Sequence, residues 1–317
     1  MNKNKILSET RSLLIIVLIA LLIKVTLIEA YIVPTGSMEK TIMVGDFLIG
    51  NRFIYGMRTP DWIGIPYTDI GFSIPYYRFP KFKEPHQGDV IIFKYPRDPY
   101  LKYVKRCIAE PGDTLEIINR KVLVNGKEFL LPEHGRFILP VSDPYKRDSN
   151  IFLGKGNKDF FPELIIPKKG DRIPIEPETA LLAMQLMLLD GHSLTLKNSN
   201  NEYQFTIIDP TDLYRRKKSY AVFDDYYPNG KLLNPWSVNM PRGELYIDGQ
   251  PIMDMDEYIV EQNYYWAMGD NRDNSLDSRF WGFVPEDHIL GEALFTYMSL
   301  NLDTWIPRFN RIGTVIR

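Results

Sequence analysis

The run SLLIIVLIALLIKVTLIEAYIV, residues 12–33, constrains this chain more than any other feature. A helix rises ~1.5 Å per residue against a hydrocarbon core ~30 Å thick, so the run is long enough to cross a membrane. Lys24 and Glu29 interrupt it in its second half, where a long side chain can snorkel toward the interface. Lys3, Lys5 and Arg11 precede it, and no basic residue follows Lys24 until Lys40. That asymmetry places a short N-terminus, residues 1–11, in the cytoplasm and the remainder outside. A cleavable secretory signal has a shorter apolar core and a small-x-small site. Here Ile28 sits two before Ala30, so a single uncleaved anchor over 12–33 is the expectation.

Behind it the chain must fold as one large or two modest domains, since 317 residues at 44% hydrophobic and 25% charged can bury a sizeable core. Short Val/Ile/Tyr/Phe runs broken by Gly, Pro, Asn and Asp predict a mainly β fold. GDFLIGNRFIY, GDVIIFKYP, LKYVKRCIAEPGD and KVLVNGKEF read as strands. Asn125-Gly126 and Asp248-Gly249 mark tight hairpins. Residues 53–82, dense in aromatics and prolines without a period, read as an irregular surface loop available to lipid or to packing. Between 127 and 240 the texture turns polar. This segment reads as an inserted subdomain of mixed α/β character between two parts of an antiparallel β-rich domain, 34–126 and 241–317. Inside it ALLAMQLMLLD, residues 180–190, is too short to span a bilayer and predicts a buried helix. RRKK at 215–218 reads as a solvated loop. A net charge of −2 argues against a nucleic-acid partner, and one cysteine, Cys107, excludes an intrachain disulfide.

Directly after the apolar run stands PTGSMEKTIMVGD, with Ser37 between a glycine and a methionine. A serine hydroxyl becomes a nucleophile only when a base takes its proton. The four histidines, His86, His134, His192 and His288, sit in no recognisable catalytic setting and show no metal-ligand spacing. Lysine is the alternative. In a strand LKYVKRCIA, alternation puts Leu101, Tyr103, Lys105, Cys107 and Ala109 on one face, with Lys105 its one charge. Desolvation there would lower the lysine's pKa and make it a base; equally, such a lysine can pair with a carboxylate at a sheet edge. Cys107, a lone thiol, reads as a small core residue. GDNRDNSLDSR, residues 269–279, offers an Asp277–Arg279 pair and serines able to orient an amine, or else an exposed Asx-rich turn.

Together PTGSMEKTIMVGD, YVKRCIAEPGDTLEI and GDNRDNSLDSRFWGFVP, in this order behind an apolar run, resemble the type I signal peptidases. These are membrane-anchored Ser/Lys endopeptidases that remove signal peptides from exported proteins. The resemblance implies that Ser37 is the nucleophile and Lys105 the general base. It implies an oxyanion hole from the Ser37 amide and the Thr35 hydroxyl, Ser275 positioning the lysine amine, and Asp277–Arg279 as a supporting ion pair. It further implies cleavage after small-x-small (Ala-x-Ala-like) sites, with no metal or cofactor. The implied partners are signal peptides of exported preproteins, membrane lipid and the protein translocation machinery, at a bacterial cytoplasmic membrane with the catalytic domain outside. Ala109 and Glu110 depart from the family's usual turn, and most of 127–240 aligns with nothing in it. A narrow-substrate peptidase of the same superfamily and a silent membrane-anchored adaptor remain as alternatives.

Overall fold

A computed structural model describes residues 9–17, 19, 28–59, 62–64, 71–199, 201–208, 232–236 and 240–317. Its centre is a seven-stranded sheet in the order 28–32, 46–51, 289–299, 90–95, 98–109, 264–268 and 284–285, with every neighbouring pair antiparallel. The mainly antiparallel β expectation holds. The Val90–Tyr95 strand shows why this sheet forms from an unbroken apolar run. Val90 and Ile92 pack into one core with Met38, Leu48 and Ala293, while Ile91 and Phe93 pack into another with Tyr265, Trp281 and Ile289. Both faces are covered, so alternation of apolar and polar residues is not required.

The largest core lies beyond the far edge of this sheet, where Tyr264, Trp266 and Met268 face the strands 114–118, 121–124 and the helix Ala180–Leu189. That helix is buried along most of its length, as its all-round apolar sequence predicts. Both expected hairpins form. Asn125 and Gly126 have φ of 51° and 72°, and Asp248 and Gly249 have 48° and 84°, the paired positive values of a type I′ turn. Segment 127–240 shares sheets with its flanks. Lys127–Phe129 pairs with Lys121–Val124, and Phe161–Ile165 pairs with Thr114–Ile118. Within 53–82, Trp62–Gly64 and Gly71–Ser73 pair as a short ribbon, and Phe53 stacks on Phe82 with ring centroids 4.4 Å apart. The RRKK run lies outside the described residues.

The apolar start requires a correction. Residues 9–17 are helical, residues 18 and 20–27 lie outside the described residues, and Ile28–Ile32 is an edge strand paired with Phe47–Asn51. The span cannot extend to residue 33. Glu29 shows the reason, because it receives Arg52 at 2.9 Å, Lys102 at 2.7 Å and the Tyr31 hydroxyl at 2.6 Å. Tyr31 and Lys102 lie in the sheet and Arg52 directly follows one of its strands, and a membrane span would strip the carboxylate of these partners. Among the described residues no helix is long and apolar enough to cross a membrane.

Candidate active site

After the Ile28–Ile32 strand the chain turns through one 3-10 turn, Gly36–Met38, with Thr35 extended before it. Met38 is the anchor of this turn. It is 2% exposed and packs with Ile42 and Leu48, and its carbonyl receives Ile42 N at 2.7 Å. The anchoring holds Ser37, 8% exposed, against the sheet. Thr35 is exposed, and its hydroxyl makes no capping bond. The Ser37 amide falls among the first N–H groups of the turn, which have no acceptor within it.

Lys105 reaches Ser37 from the Asp98–Ala109 strand. Its Nζ donates to Ser37 Oγ at 2.6 Å and to the Val104 carbonyl at 3.1 Å. It lies 5.2 Å from the Tyr103 ring centroid, and Tyr103 stacks on Tyr95 at 4.6 Å. Lys105 is 3% exposed. Burial pulls its ammonium down from 10.5 to about 8, against the opposing pull of Asp277 and Asp270. About one such lysine in ten is then neutral at pH 7, against fewer than about one in a thousand for an ordinary lysine. Among the described residues no histidine bonds to Ser37. His288 meets the Lys94 carbonyl, His192 meets Asp248 and Glu261, and His86 meets Glu110.

The loop 269–279 closes over this pair. Ser37 O accepts Asn271 N at 3.0 Å, and Asn271 Nδ2 donates to Gly36 O at 3.0 Å. Asp277 and Arg279, both buried, form a two-pronged ion pair at 2.9 Å in each arm. Burial works to raise the Asp277 carboxyl, and Arg279 overrides it, so the group is held below its usual range. The second Asp277 oxygen accepts Gly269 N at 3.1 Å, which fixes the loop where it touches Ser37. Ser275 sits there too. Its Oγ helps hold the Asp277 charge but makes no hydrogen bond of full geometry. The bond from Ser275 to the lysine amine that the resemblance implies is therefore not formed in this state. Cys107 is fully buried, and burial pushes its thiol well up, which leaves it inert.

Three supports were not legible in advance. Arg106, placed by alternation on the face opposite Lys105, is also buried, so Lys105 is not this strand's lone interior charge. Arg106 clasps Asp270 at 2.9 and 2.7 Å, and the same carboxylate accepts the Thr41 hydroxyl at 2.6 Å. One buried ion pair thus ties the strand of Lys105, the turn of Ser37 and the loop. Gly269 is the second support, since a Cβ there would lie 2.2 Å from Ser275 Oγ and 2.5 Å from Ser37 O. Third, Arg136, from the polar segment, bonds the Glu39 carboxylate next to the Gly36–Met38 turn, and its backbone pairs with Asp270 O and Arg272 N at 3.0 Å.

The edge of the Asp98–Ala109 strand carries a further feature. Its pairing with 90–95 runs from Asp98 to Arg106, whereas its pairing with 264–268 covers only Arg106 to Ala109. The backbone leading up to Lys105 thus has no strand beside it on that side among the described residues.

The sequence pattern described as "Signal peptidase, peptidase S26" matches residues 6–153 and 248–298, well over half of the chain. A signal peptidase I of Buchnera aphidicola from Acyrthosiphon pisum is 28% identical over 99% of this chain and 83% of its own length. One from Aquifex aeolicus is 27% identical over 96% of this chain and 89% of its own. A crystal structure of a signal peptidase I from Enterococcus faecalis matches 66% of this chain and 97% of its own at 17% identity, with a TM-score of 0.24.

Proposed function

The chain belongs to the signal peptidase family S26, and from that premise we propose that it is a serine endopeptidase removing N-terminal signal peptides from exported preproteins by a Ser37/Lys105 dyad. The observation that carries this reading is the 2.6 Å contact between Lys105 Nζ and Ser37 Oγ inside a buried site.

The substrate's extended segment, ending in a small-x-small sequence, adds as a strand beside the Asp98–Ala109 strand just before Lys105. Backbone hydrogen bonds give affinity there, and small pockets give specificity. Neutral Lys105 accepts the Ser37 proton as Oγ attacks the scissile carbonyl. Donors from the Ser37 amide and the Thr35 hydroxyl hold the oxyanion, each worth about 10²- to 10³-fold in rate. Lys105, now an ammonium, protonates the leaving amine, and water attacks the acyl-enzyme with the same lysine as base. Asp277–Arg279 and Arg106–Asp270 hold the geometry without touching substrate. Ser275 swings onto the lysine amine once substrate fills the site.

The reading places the enzyme at a bacterial cytoplasmic membrane. An anchor lies in the apolar run before Ile28, the N-terminus is inside, and the catalytic body is outside, where translocated chains emerge. In support, Leu13, Leu14 and Ile16 are exposed on the helical residues 9–17, and Phe72, Tyr77 and Phe82 are exposed on the aromatic segment.

The test is incubation of the full chain in detergent with a panel of unrelated preproteins, followed by N-terminal sequencing of the products. Single cuts after small-x-small sites, absent with Ser37→Ala, support the proposal. Cleavage of a single precursor would narrow the function to a specialised peptidase. Uncut precursors alongside a folded protein would shift it to an adaptor.

A further inference from the structure

Arg272 of the loop 269–279 lines a cavity of about 140 Å³. Its walls are partly apolar, from Phe129 and Phe137, but its charged lining is Arg120, Lys121 and Arg272 against the single acid Glu128. Arg272 is the unusual member. It is 2% exposed, and among the described residues its Nε and Nη2 have no hydrogen-bond partner. Its Nη1 meets only the Met268 sulfur at 3.8 Å. Buried guanidinium groups are ordinarily paired, because an unpartnered buried charge costs several kcal/mol. Burial and the neighbouring Arg279 accordingly pull Arg272 down to about 10, while Asp277 and Asp270 act on it only at a distance.

The other charges near the cavity do not supply the missing partner. Arg120 is engaged by Asp159 at 3.1 Å and by the Leu139 and Pro140 carbonyls at 2.7 Å, with Asp273 at 3.7 Å. Its guanidinium lies over the Phe137 ring at 4.4 Å. Glu128 faces Lys121 at 3.2 Å on the exposed rim. Arg120 and Lys121 thus each have a carboxylate partner, whereas Arg272, the most buried of the three cations, has no hydrogen-bonded counter-charge among the described residues.

We propose that this cavity is a binding site for a small oxyanion from solution, a phosphate or carboxylate group, seated between Arg272, Arg120 and Lys121. The proposal is independent of the peptidase reading. It has a consequence for that site, since Arg272 is bonded through its backbone to Arg136 O and accepts Arg279 Nη2 at 2.5 Å. An occupied cavity holds the loop that carries Gly269 and Ser275.

The experiment is thermal unfolding of the full chain in detergent with rising inorganic phosphate or acetate, at ionic strength held constant with chloride. The proposal expects a saturable rise in the unfolding midpoint with at least one of the two oxyanions. Lys121→Glu, at a side chain 63% exposed on the rim, should weaken binding about tenfold, the equivalent of one charge-assisted hydrogen bond. Arg272→Gln should abolish it; if that variant does not fold, Lys121→Glu decides. No saturable rise with either anion, or an unchanged midpoint curve in Lys121→Glu, would overturn the proposal.

Discussion

Replacing Lys105 with methionine should abolish proteolysis and, at neutral pH, make the protein more stable. The ammonium is pulled from 10.5 to about 8 by burial, and each unit is worth about 1.4 kcal/mol. Holding the charged form in the folded state therefore costs about 3 kcal/mol. The hydrogen bond to Ser37 offsets about 1 kcal/mol of this. Methionine keeps the unbranched stem and removes the charge, leaving a net gain of about 2 kcal/mol. The sign follows from the depressed folded-state value. The folded protein binds fewer protons than the unfolded chain between about 8 and 10.5, so wild-type stability rises with pH across that window and the penalty is complete below it. The advantage of Lys105→Met should thus be full at pH 7 and absent near pH 10.5. Urea denaturation of both full chains in detergent at the two pH values measures it. A variant less stable than wild type by the same amount at both values would refute the idea that lysine burial is what prepares the base.

Gly269→Ala pushes a methyl into Ser275 and the Ser37 carbonyl, so a loss of about 1–3 kcal/mol in stability is expected with a fall in kcat larger than any change in KM. Unaltered kcat would dissociate the glycine from the nucleophile turn. Arg106→Met strands the buried Asp270 carboxylate and should cost about 3–5 kcal/mol, whereas Arg106→Met with Asp270→Leu should recover much of it; additive losses in chemical denaturation would deny the coupling. Thr35→Ala should leave the unfolding midpoint unchanged, because the hydroxyl caps nothing, and slow single-turnover cleavage about 10²- to 10³-fold. An unchanged rate removes Thr35 from the oxyanion hole.

What the sequence made legible was local. Asn-Gly and Asp-Gly turns carry their own backbone geometry, and ALLAMQLMLLD can only be buried. Ser37 and Lys105 were visible as a serine that needed a base and a lysine on an apolar strand face. What could not be read depends on partners far along the chain. Alternation put Arg106 opposite Lys105 but could not say that both faces of a central strand are covered, nor that Asp270, 164 residues away, receives it. Gly269 looked like any turn glycine; only the approach of Ser37 O shows why a side chain is excluded. The apolar run was over-extended because Ile28–Ile32 is apolar for two reasons that hydropathy cannot separate. A strand edge packing on a core and a membrane span read alike until Glu29 is seen with Arg52 and Lys102.

The most direct test of the Ser37/Lys105 reading is the pH dependence of single-turnover preprotein cleavage from about pH 6 to 10, for wild type and Lys105→Arg. A base titrating near 8 predicts a wild-type rate that rises about tenfold per unit below that value and levels off above it. It predicts no cleavage by the arginine variant, whose guanidinium does not deprotonate. A flat wild-type profile, or an arginine variant cutting at the wild-type rate, would contradict it.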